Sequence, residues 1–531
     1  MAKMVLIIMM TLLVNGQQQH HHQAGQQLDN IVLFVDSTSS NNLSNCGSAP
    51  GNMACANIIQ AVNSFLGSAN NNQQHQQQQQ QDYPTNTLLT LLMVPGVYPP
   101  DGNSDLPLFS INITMRNYAP EDGPVIINLE QIVNFISVYE PTAYQGDGIS
   151  LIELDGLTLT NGSNINGGAI SIITYLMRVN LTINNCVMSD HVASGRGGVL
   201  YFEPQGQYVN YSVVLNNTSF YNNMANSMIF TMNDGHFRMT NCSVANNVAM
   251  VGDIISLYIQ QQPAYIHHTR FTNNSINSLD QGYKSAIVNL TRTSAQIDHC
   301  TFSNNANGSQ VAASNNQAHL DTKVYLEVGD CTFSSNTGGG GLINGLGLNV
   351  DMLGWVSINN SLFHNNSGGG LGVNLYAVDT IFIGIDHSRF IDSPSIVAGQ
   401  SIYMYFDGNM SVTNSHFSNN GVADIYCYSS DVMAINNTFD KDTLLVVCEP
   451  GSCQLSGHDF DTVECSLGPT HDSSSEDAPH RNPKTVRGGI IFLSIILFII
   501  SALAIAYFIH FKWRRGGGRV SDRDGYTRII G

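Results

Sequence analysis

Apolar and polar residues alternate in short runs along most of this chain. Around Phe302, for instance, the run includes Ile297, His299, Cys300 and Phe302, and β-branched and aromatic residues are frequent beside it. A period near two residues indicates β-strands, and no window sustains the 3.6-residue period of a helical solenoid. The hydrophobic pattern therefore predicts a protein built from many short strands.

These runs belong to a repeat in which a phenylalanine is followed three positions later by asparagine. It reads HCTFSNN at His299–Asn305, DCTFSSN at Asp330–Asn336, NSLFHNN at Asn360–Asn366 and NSHFSNN at Asn414–Asn420. The anchor position of the repeat is occupied by Leu159, Met188, Phe220, Val244, Phe271, Phe302, Phe333, Phe363, Phe390, Phe417 and Phe439. The intervals average about 28 residues, and a period of that size indicates a solenoid.

Strand periodicity within a solenoid predicts a parallel β-helix, in which each coil stacks its strands on those of the next coil. We expect the anchors to point inward and to stack about 4.8 Å apart. Two residues before each anchor the chain has Cys, Thr or Ser, which we interpret as small residues for a narrow interior. Asparagine pairs follow the anchor, where asparagine tolerates a left-handed turn and can bond along the stack. The repeat is therefore interpreted as structural, not catalytic.

The ends of the solenoid need caps. Cys55–Leu66 places Ile58, Phe65 and other apolar residues on one helical face, which predicts a cap helix. The predicted order is a signal peptide (1–16), an N-terminal segment with a cysteine loop (17–54), the cap helix with a Gln-rich insertion (55–87), the β-helix (88–453), a polar stalk (454–489), a transmembrane helix (490–511) and a cytoplasmic tail (512–531).

Two apolar segments predict a single-pass type I membrane protein. Met4–Val14 follows the early Lys3 and precedes a small residue at Gly16, as in a signal peptide. Ile490–Phe511 is apolar and long enough to span a bilayer, and Lys512 and two arginines follow it. We therefore expect the segment from residue 17 to about 489 on the outside of a plasma or endolysosomal membrane.

Composition narrows the functional class. The 531-residue chain is 43% hydrophobic but only 11% charged, which suits neither a disordered chain nor an ordinary helical enzyme. Its net charge of −19 argues against a nucleic-acid partner.

Asn-x-Ser/Thr sequons are dense and predict a glycosylated external region. The predicted acceptors are Asn42, Asn112, Asn161, Asn180, Asn210, Asn217, Asn241, Asn273, Asn289, Asn307, Asn359, Asn365, Asn409 and Asn436.

The ten cysteines fall into three groups. Cys46 and Cys55 lie in NCGSAPGNMAC and predict a disulfide closing a short loop. Those of the small column, Cys186, Cys242, Cys300 and Cys331, are interpreted as buried thiols, with a Cys300–Cys331 bridge as the alternative. Cys427, Cys448, Cys453 and Cys465 cluster where the solenoid ends; two bridges are possible there, but their pairing is left open. A metal site at Cys448 and Cys453 is not predicted, because no His or Cys pair completes a zinc pattern.

The FxxN phrases and GGAI at Gly167–Ile170 resemble the repeats of bacterial polymorphic outer membrane proteins. Elsewhere GGAI is degraded, as in GGVL at Gly197–Leu200, and the outer-membrane barrel of those proteins is absent. CGSAPGNMAC, the cap helix, PGVY and the coils also look like pectin-lyase-like β-helix surface proteins of amoeboid protists. The resemblance covers about residues 30–450 and implies an all-β, right-handed parallel β-helix.

Pectin-lyase-like folds often degrade acidic polysaccharides, so we tested for a catalytic face. Asp298, Asp330 and Asp386 share a register near their anchors, but Asn359 and Asn414 replace them in other coils, which favours a polar turn. His191 and Arg196 could form a catalytic site or lie in a solvated turn, and we predict the turn. We therefore predict no enzyme, no cofactor and no metal site.

The resulting hypothesis is a recognition or adhesion rod that binds a glycan or a protein. A polysaccharide-degrading enzyme and a structural glycoprotein without a ligand are the alternatives. In the tail, Tyr526 and Ile529 form a Gly-Tyr-x-x-Φ pattern that resembles the sorting signals read by clathrin adaptors. We therefore expect traffic between the cell surface and endolysosomes.

Overall fold

In the computed structural model all described residues belong to one compact unit, which lies within Met1–Gly468. The structure describes residues 29–41, 46–71, 87–108, 110–140, 149–175, 177–204, 211–227, 229–259, 262–277, 285–315, 324–338, 348–351, 354–368, 374–393, 400–405, 408–420, 423–439, 444–448 and 453–457. The predicted signal peptide, transmembrane segment and sorting signal lie outside these residues. Within them, no helix has the length and hydrophobicity needed to cross a membrane.

The described part of this unit consists mainly of strands arranged in four sheets, and every pairing between these strands is parallel. The 15-stranded sheet comprises β1 (Asp29–Val35), β2 (Thr87–Met93), β4 (Asn112–Asn117), β7 (Ile149–Asp155), β11 (Arg178–Asn184), β15 (Ser212–Asn216), β19 (His236–Thr240), β23 (Ala264–His267), β27 (Ala295–Asp298), β30 (Tyr325–Gly329), β33 (Trp355–Asn359), β36 (Phe382–Asp386), β39 (Asn409–Thr413), β42 (Asp431–Ile435) and β45 (Gln454–Gly457).

The 13-stranded sheet contains the anchors. It comprises β3 (Gly96–Tyr98), β5 (Val125–Asn128), β8 (Leu157–Thr160), β12 (Val187–Ser189), β16 (Ser219–Tyr221), β20 (Ser243–Ala245), β24 (Arg270–Thr272), β28 (Thr301–Ser303), β31 (Thr332–Ser334), β34 (Leu362–His364), β37 (Arg389–Ile391), β40 (His416–Ser418) and β43 (Thr438–Phe439).

The other two sheets complete each coil. The 12-stranded sheet comprises β6 (Ile136–Tyr139), β10 (Ile170–Thr174), β14 (Leu200–Pro204), β18 (Phe230–Asn233), β22 (Ile255–Tyr258), β26 (Ala286–Thr291), β29 (Ser309–Ser314), β32 (Leu348–Asp351), β35 (Leu375–Val378), β38 (Gln400–Tyr405), β41 (Ala423–Tyr428) and β44 (Leu444–Cys448). The five-stranded sheet comprises β9 (Ser163–Asn164), β13 (Val192–Ala193), β17 (Met224–Ala225), β21 (Val248–Ala249) and β25 (Ser275–Ile276). Because the chain visits the long sheets in a fixed order and then repeats, the unit is a parallel β-helix.

The predicted anchor column is confirmed. From Leu159 to Phe439 each anchor is the register partner of the next. The Phe302 and Phe333 rings, for example, stack with centroids 4.9 Å apart and planes 1° apart, and both side chains are buried. Stacked rings fill the interior and fix the register of successive coils.

The predicted column of small inward residues is confirmed, and it has a second role that was not predicted. Its side chains are buried, but each also takes part in a polar ladder. The Ser388 Oγ donates to the Asp386 carbonyl (3.0 Å) and accepts from the Ser361 N–H (3.3 Å). The Cys331 Sγ makes the same pair of contacts, to the Gly329 carbonyl and the Cys300 N–H. A small hydrogen-bonding side chain is needed there, which is why Cys, Thr and Ser alternate.

The asparagine pairs behave as predicted, and the two members of each pair have different roles. The first member takes the left-handed conformation, as at Asn304 (φ 55°). The second is buried, and its side chain bonds to the next coil: the Asn274 Nδ2 donates to the Asn305 Oδ1 at 3.0 Å. The same Nδ2 donates to the carbonyl of Val244, the anchor of the preceding coil (2.9 Å). The FxxN phrase therefore bonds three coils together.

The GGAI glycines allow close coil packing. A Cβ on Gly168 would collide with the carbonyl oxygen of Gly198 in the next coil, and Gly167 takes a left-handed φ of 75°. The same pair recurs at Gly197 (φ 70°) and Gly198. This motif is structural as well.

The two ends of the β-helix extend beyond the predicted limits. β1, which the sequence did not predict, pairs with β2 although the cap helix and the Gln-rich insertion separate them. β45 pairs with β42 and extends the sheet into the predicted stalk. The only α-helix among the described residues, α1 (Ile58–Asn71), begins three residues later than predicted and contacts β1 and β2. Two short 3₁₀ helices, Gly51–Met53 and Pro120–Asp122, precede and follow it.

The predicted Cys46–Cys55 disulfide is present, with an S–S distance of 1.98 Å. A second disulfide joins Cys427 to Cys453 and attaches β41 to the final coil. Cys465 lies outside the described residues. The four thiols of the small column are free and buried, as predicted, and burial raises the pKa of Cys186 to about 12.

Candidate functional site

The outer face of the 15-stranded sheet carries a column of aromatic side chains. Tyr325 of β30 is the register partner of Trp355 of β33, and the Val356–Ile383 pairing places Phe382 of β36 beside Trp355. Trp355 is 40% exposed and Phe382 is 37% exposed. We call these three residues the aromatic column.

The ring of Phe382 lies close to the sheet. A Cβ added to Gly384 would meet the Phe382 Cε1 at 3.3 Å, so the glycine leaves room for the ring over the strand. Adjacent strands are about 4.8 Å apart. The column therefore forms a strip three strands wide, in which Trp355 and Phe382 are open to solvent and Tyr325 is half-buried.

Polar side chains border the aromatic column. Glu327 is half-buried beside it, and burial raises the pKa of its carboxyl. Burial also raises the pKa of Tyr325, and Tyr265 and Glu327 contribute to the shift. Toward the other end of the face, the Tyr265 ring stacks on His267 with centroids 5.9 Å apart.

Histidine and aspartate side chains meet at the turn that follows this face. The His299 Nδ1 lies 2.8 Å from the Asp298 Oδ2, and its Nε2 lies 4.0 Å from the Asp330 Oδ2. The His267 Nδ1 lies 3.6 Å from the same Asp298 oxygen, and the His268 ring stacks on His299 at 4.7 Å. We call these five residues the histidine–aspartate turn.

The two histidines beside Asp298 respond differently to their surroundings. The hydrogen bond and charge of Asp298 raise the pKa of His299, which is exposed. Burial lowers the pKa of His267 although Asp298 is near. The two imidazoles beside Asp298 therefore differ in proton affinity, His299 holding its proton more tightly than His267.

Asp386, which shares this register in the sequence, lies apart from Asp298 and Asp330. Its burial tends to raise the pKa of the carboxyl, but hydrogen bonds from Thr413, Asn414 and His387 together outweigh it and lower the pKa. The predicted polar turn is thus found at Asp386, whereas Asp298 and Asp330 approach one another through His299.

His191 does not lie in a solvated turn, contrary to our prediction. It is fully buried and occupies the position of the second asparagine in its coil. Its backbone N–H donates to the Asn223 Oδ1 (3.0 Å), and its Nδ1 accepts from the Gly162 N–H (2.9 Å). Burial lowers its pKa to about 4. Arg196 is exposed in the following turn, so the two do not form a site.

The burial of His191 predicts a measurable acid sensitivity. Below pH 6.5 the unfolded chain binds a proton that the native imidazole refuses until about pH 4. At about 1.36 kcal/mol per pKa unit, the free energy of unfolding falls by roughly 3 kcal/mol as the pH decreases from 6.5 to about 4. We expect His191→Asn, which restores the asparagine of the column, to remove that part of the pH dependence in urea unfolding. His364→Asn, at a partly exposed position, should leave the pH dependence unchanged. If the free energy of unfolding depends on pH equally in both variants and the parent, His191 does not have this role.

The predicted glycan acceptors differ in exposure. The exposed ones are Asn217, Asn241, Asn273, Asn307, Asn359, Asn365, Asn409 and Asn436, and the half-buried ones are Asn161, Asn180 and Asn289. Asn112 is 5% exposed and its Oδ1 accepts a hydrogen bond from the Leu151 N–H, so the folded chain does not present it. Asn42 and Asn210 lie outside the described residues. Modification of the others stays a prediction.

Sequence reasoning missed the aromatic column and the histidines of the turn, although both have a signal. Each member of the column lies eight residues before its anchor, Phe333, Phe363 or Phe390. His268, His299 and Asp330 each lie three residues before an anchor. A comparison of the coils at the positions eight and three residues before each anchor would have identified the aromatic column and the histidine–aspartate turn.

Comparison with known proteins finds only distant structural similarities. No protein-family model and no curated protein matches the chain. The chain is similar to the catalytic unit of a thermostable GH87 α-1,3-glucanase from Streptomyces thermodiastaticus strain HF3-3, with 14% identity, a TM-score of 0.26 and coverage of 72% of this chain and 65% of that one. It is also similar to a rhamnogalacturonan lyase, with 10% identity, a TM-score of 0.21 and coverage of 82% and 88%. Likenesses this distant do not bear on the chemistry of this chain.

Proposed function

We propose that the β-helix is a recognition module that binds a neutral glycan along the outer face of the 15-stranded sheet without cleaving it. The observation that carries this proposal is the exposed aromatic column. Monomeric soluble proteins usually bury large aromatic side chains, and aligned exposed ones mark binding surfaces.

A glycan chain suits this surface chemically. The C–H faces of a pyranose ring are apolar and stack on aromatic rings, while its hydroxyl groups need polar neighbours. Glu327 and Ser357 border the column and offer such partners. An extended ligand running across the strands would contact one aromatic side chain per coil.

Charge favours a neutral ligand over an acidic one. The chain carries a net charge of −19, and Glu327, Asp298 and Asp386 lie on this face or at its edge. Like charges placed opposite one another suppress association. Uronic acid polymers are therefore poor candidates.

A polysaccharide-degrading enzyme is the second candidate, and the histidine–aspartate turn is what favours it. Oxygen atoms of Asp298 and Asp330 lie within 4.8 Å of one another, near the spacing of the two carboxylates in retaining glycosidases. However, a glycosidase acid is kept protonated by an apolar pocket, whereas the Asp298 and Asp330 side chains are 25% and 41% exposed. We therefore prefer binding without catalysis.

The remaining sequence predictions complete the proposal. The β-helix would wind right-handedly and stand outside the plasma or endolysosomal membrane, held by the segment 490–511. Tyr526 and Ile529 would direct traffic through a clathrin adaptor.

The test is a binding panel with the purified full-length chain in detergent. Immobilised neutral β-glucans and mannans should retain it at least about tenfold more tightly than polygalacturonate or alginate, because like charges repel. Adding salt to about 0.5 M should reduce the difference between the two groups by screening. Tighter binding to the acidic polymers would contradict the proposal, and retention by no polymer would favour a structural glycoprotein.

A further inference from the structure

The histidine–aspartate turn holds donor atoms from two adjacent coils around one point. One donor atom from each of Asp298, His299 and Asp330 lies within 4.8 Å of the other two. Asp298 and His299 come from the coil that contains β27, and Asp330 comes from the next coil, just after β30. The stacking of coils therefore brings together ligands that are about thirty residues apart in sequence.

The His299 ring is held in place on two sides. The Asp298 Oδ2 is within hydrogen-bond distance of its Nδ1 (2.8 Å), and the His268 ring stacks against it with planes 12° apart. A carboxylate that accepts the Nδ1 proton leaves Nε2 unprotonated and able to bind a metal. In this orientation Nε2 faces the Asp330 Oδ2 at 4.0 Å, too far for a hydrogen bond.

We propose that this turn binds a divalent transition-metal ion of the zinc class, with the His299 Nε2 and the Asp330 carboxylate as ligands. Asp298 orients the imidazole and does not need to touch the ion. Two ligand atoms of a tetrahedral Zn²⁺, each about 2.0–2.2 Å from the ion, lie about 3.4 Å apart, so the 4.0 Å gap between Nε2 and Oδ2 has to close by roughly half an ångström, and water completes the coordination. A donor set of imidazole and carboxylate favours Zn²⁺ over Ca²⁺ or Mg²⁺.

Such an ion would join two coils at the edge of the candidate binding face. Bound Zn²⁺ stabilises the native state because the ligands are close together only in the folded chain. Since the residues are partly exposed, the site is open to exchange with solvent. The inference does not depend on glycan binding by the aromatic column.

The structure supplies a matched control at His387. This residue occupies the same turn position, three residues before its anchor, and also has a left-handed φ (48°). Its Nδ1 lies 2.8 Å from Asp386, as the His299 Nδ1 does from Asp298. The corresponding residue of the next coil is Asn414 where the His299 site has Asp330. His387 therefore has the orienting carboxylate but lacks the second charged ligand.

Zinc content of the full-length chain tests the proposal by equilibrium dialysis against buffered micromolar Zn²⁺. The chain has 17 histidines, so the readout is the difference in stoichiometry from the parent. We expect His299→Ala and Asp330→Asn each to lose one equivalent, and His387→Ala to lose none. Asp298→Asn should keep the equivalent but bind it about tenfold more weakly.

The thermal midpoint gives a second readout that does not rely on counting ions. Zn²⁺ should raise the unfolding midpoint of the parent and of His387→Ala, but not that of His299→Ala or Asp330→Asn. Unchanged stoichiometry in both ligand variants, or the same loss in His387→Ala, would overturn the proposal. Failure of glycan binding in the polysaccharide panel would leave this result unaffected.

Discussion

Asn305→Ala should destabilise the β-helix by about 3 kcal/mol or more, because several buried polar groups lose their partners together. The Asn305 Nδ2 donates to the Phe271 carbonyl (3.1 Å) and to the Gln310 Oε1 (2.9 Å). Its Oδ1 accepts from the backbone N–H and the Nδ2 of Asn274, both at 3.0 Å. Alanine removes all four of these bonds from a buried position, and the Asn274 Nδ2 keeps only its bond to the Val244 carbonyl.

Urea unfolding followed by circular dichroism measures this effect. The control is Asn184→Ala, a partly exposed asparagine on the outer face whose Nδ2 donates to the Glu153 Oε1 (3.1 Å) and whose Oδ1 accepts from the Asn216 Nδ2 (2.9 Å). Solvent can replace both bonds, so the control should cost less than about 1 kcal/mol. Equal losses for the two variants would show that the buried asparagine ladder is not a special source of stability.

The repeat made the inner columns predictable from sequence. Phenylalanine at the anchor and asparagine three residues later recur because each must match its copy in the next coil. The stacking of the anchors and the bonding of the asparagines could therefore both be predicted. The predicted register of the anchors was correct at every step from Leu159 to Phe439. A column of side chains can be predicted from sequence when every coil needs the same type of residue at that position.

Other parts of the fold could not be predicted in this way. The small column was interpreted by volume alone, although thiol and hydroxyl groups share the ability to donate to one carbonyl and accept from one N–H. β1 has no repeat phrase, and its partner β2 follows only after the cap helix and the insertion. His191 was interpreted as a polar turn residue although it lies three residues after the anchor Met188, at the position that a buried asparagine occupies in other coils.

The candidate site was harder to find because its residues change from coil to coil. Only Tyr325, Trp355 and Phe382 form the aromatic column, and Asn409 follows them in the next strand. Nothing in the packing requires an aromatic side chain on a solvent-facing position. Such exceptions to a repeat indicate where function resides, and they become visible once the register is known.

Replacing the aromatic column has the second large expected effect. Trp355→Ala combined with Phe382→Ala should weaken binding of neutral glycan about 100-fold or more, since truncating one central aromatic contact commonly costs about 2 kcal/mol. Both side chains are more than a third exposed, so their loss should leave the unfolding midpoint nearly unchanged. Trp355→Phe keeps an aromatic face and should retain most of the affinity.

Two control variants test whether the loss of glycan affinity is specific to the aromatic column. Tyr258→Ala removes a similarly exposed aromatic side chain (41%) from the outer face of the 12-stranded sheet and should not alter binding. Asn409→Gln removes the sequon beside Phe382, so that a glycan on the chain itself does not compete for the column.

The most direct test scores retained protein and new sugar chain ends in the same wells, for the parent and the Trp355→Ala, Phe382→Ala variant on immobilised neutral glycans. The recognition function predicts strong retention of the parent, its loss in the variant, and no new chain ends with either. New chain ends released by the parent, and lost in Asp298→Asn or Asp330→Asn, would contradict it and assign catalysis to the histidine–aspartate turn.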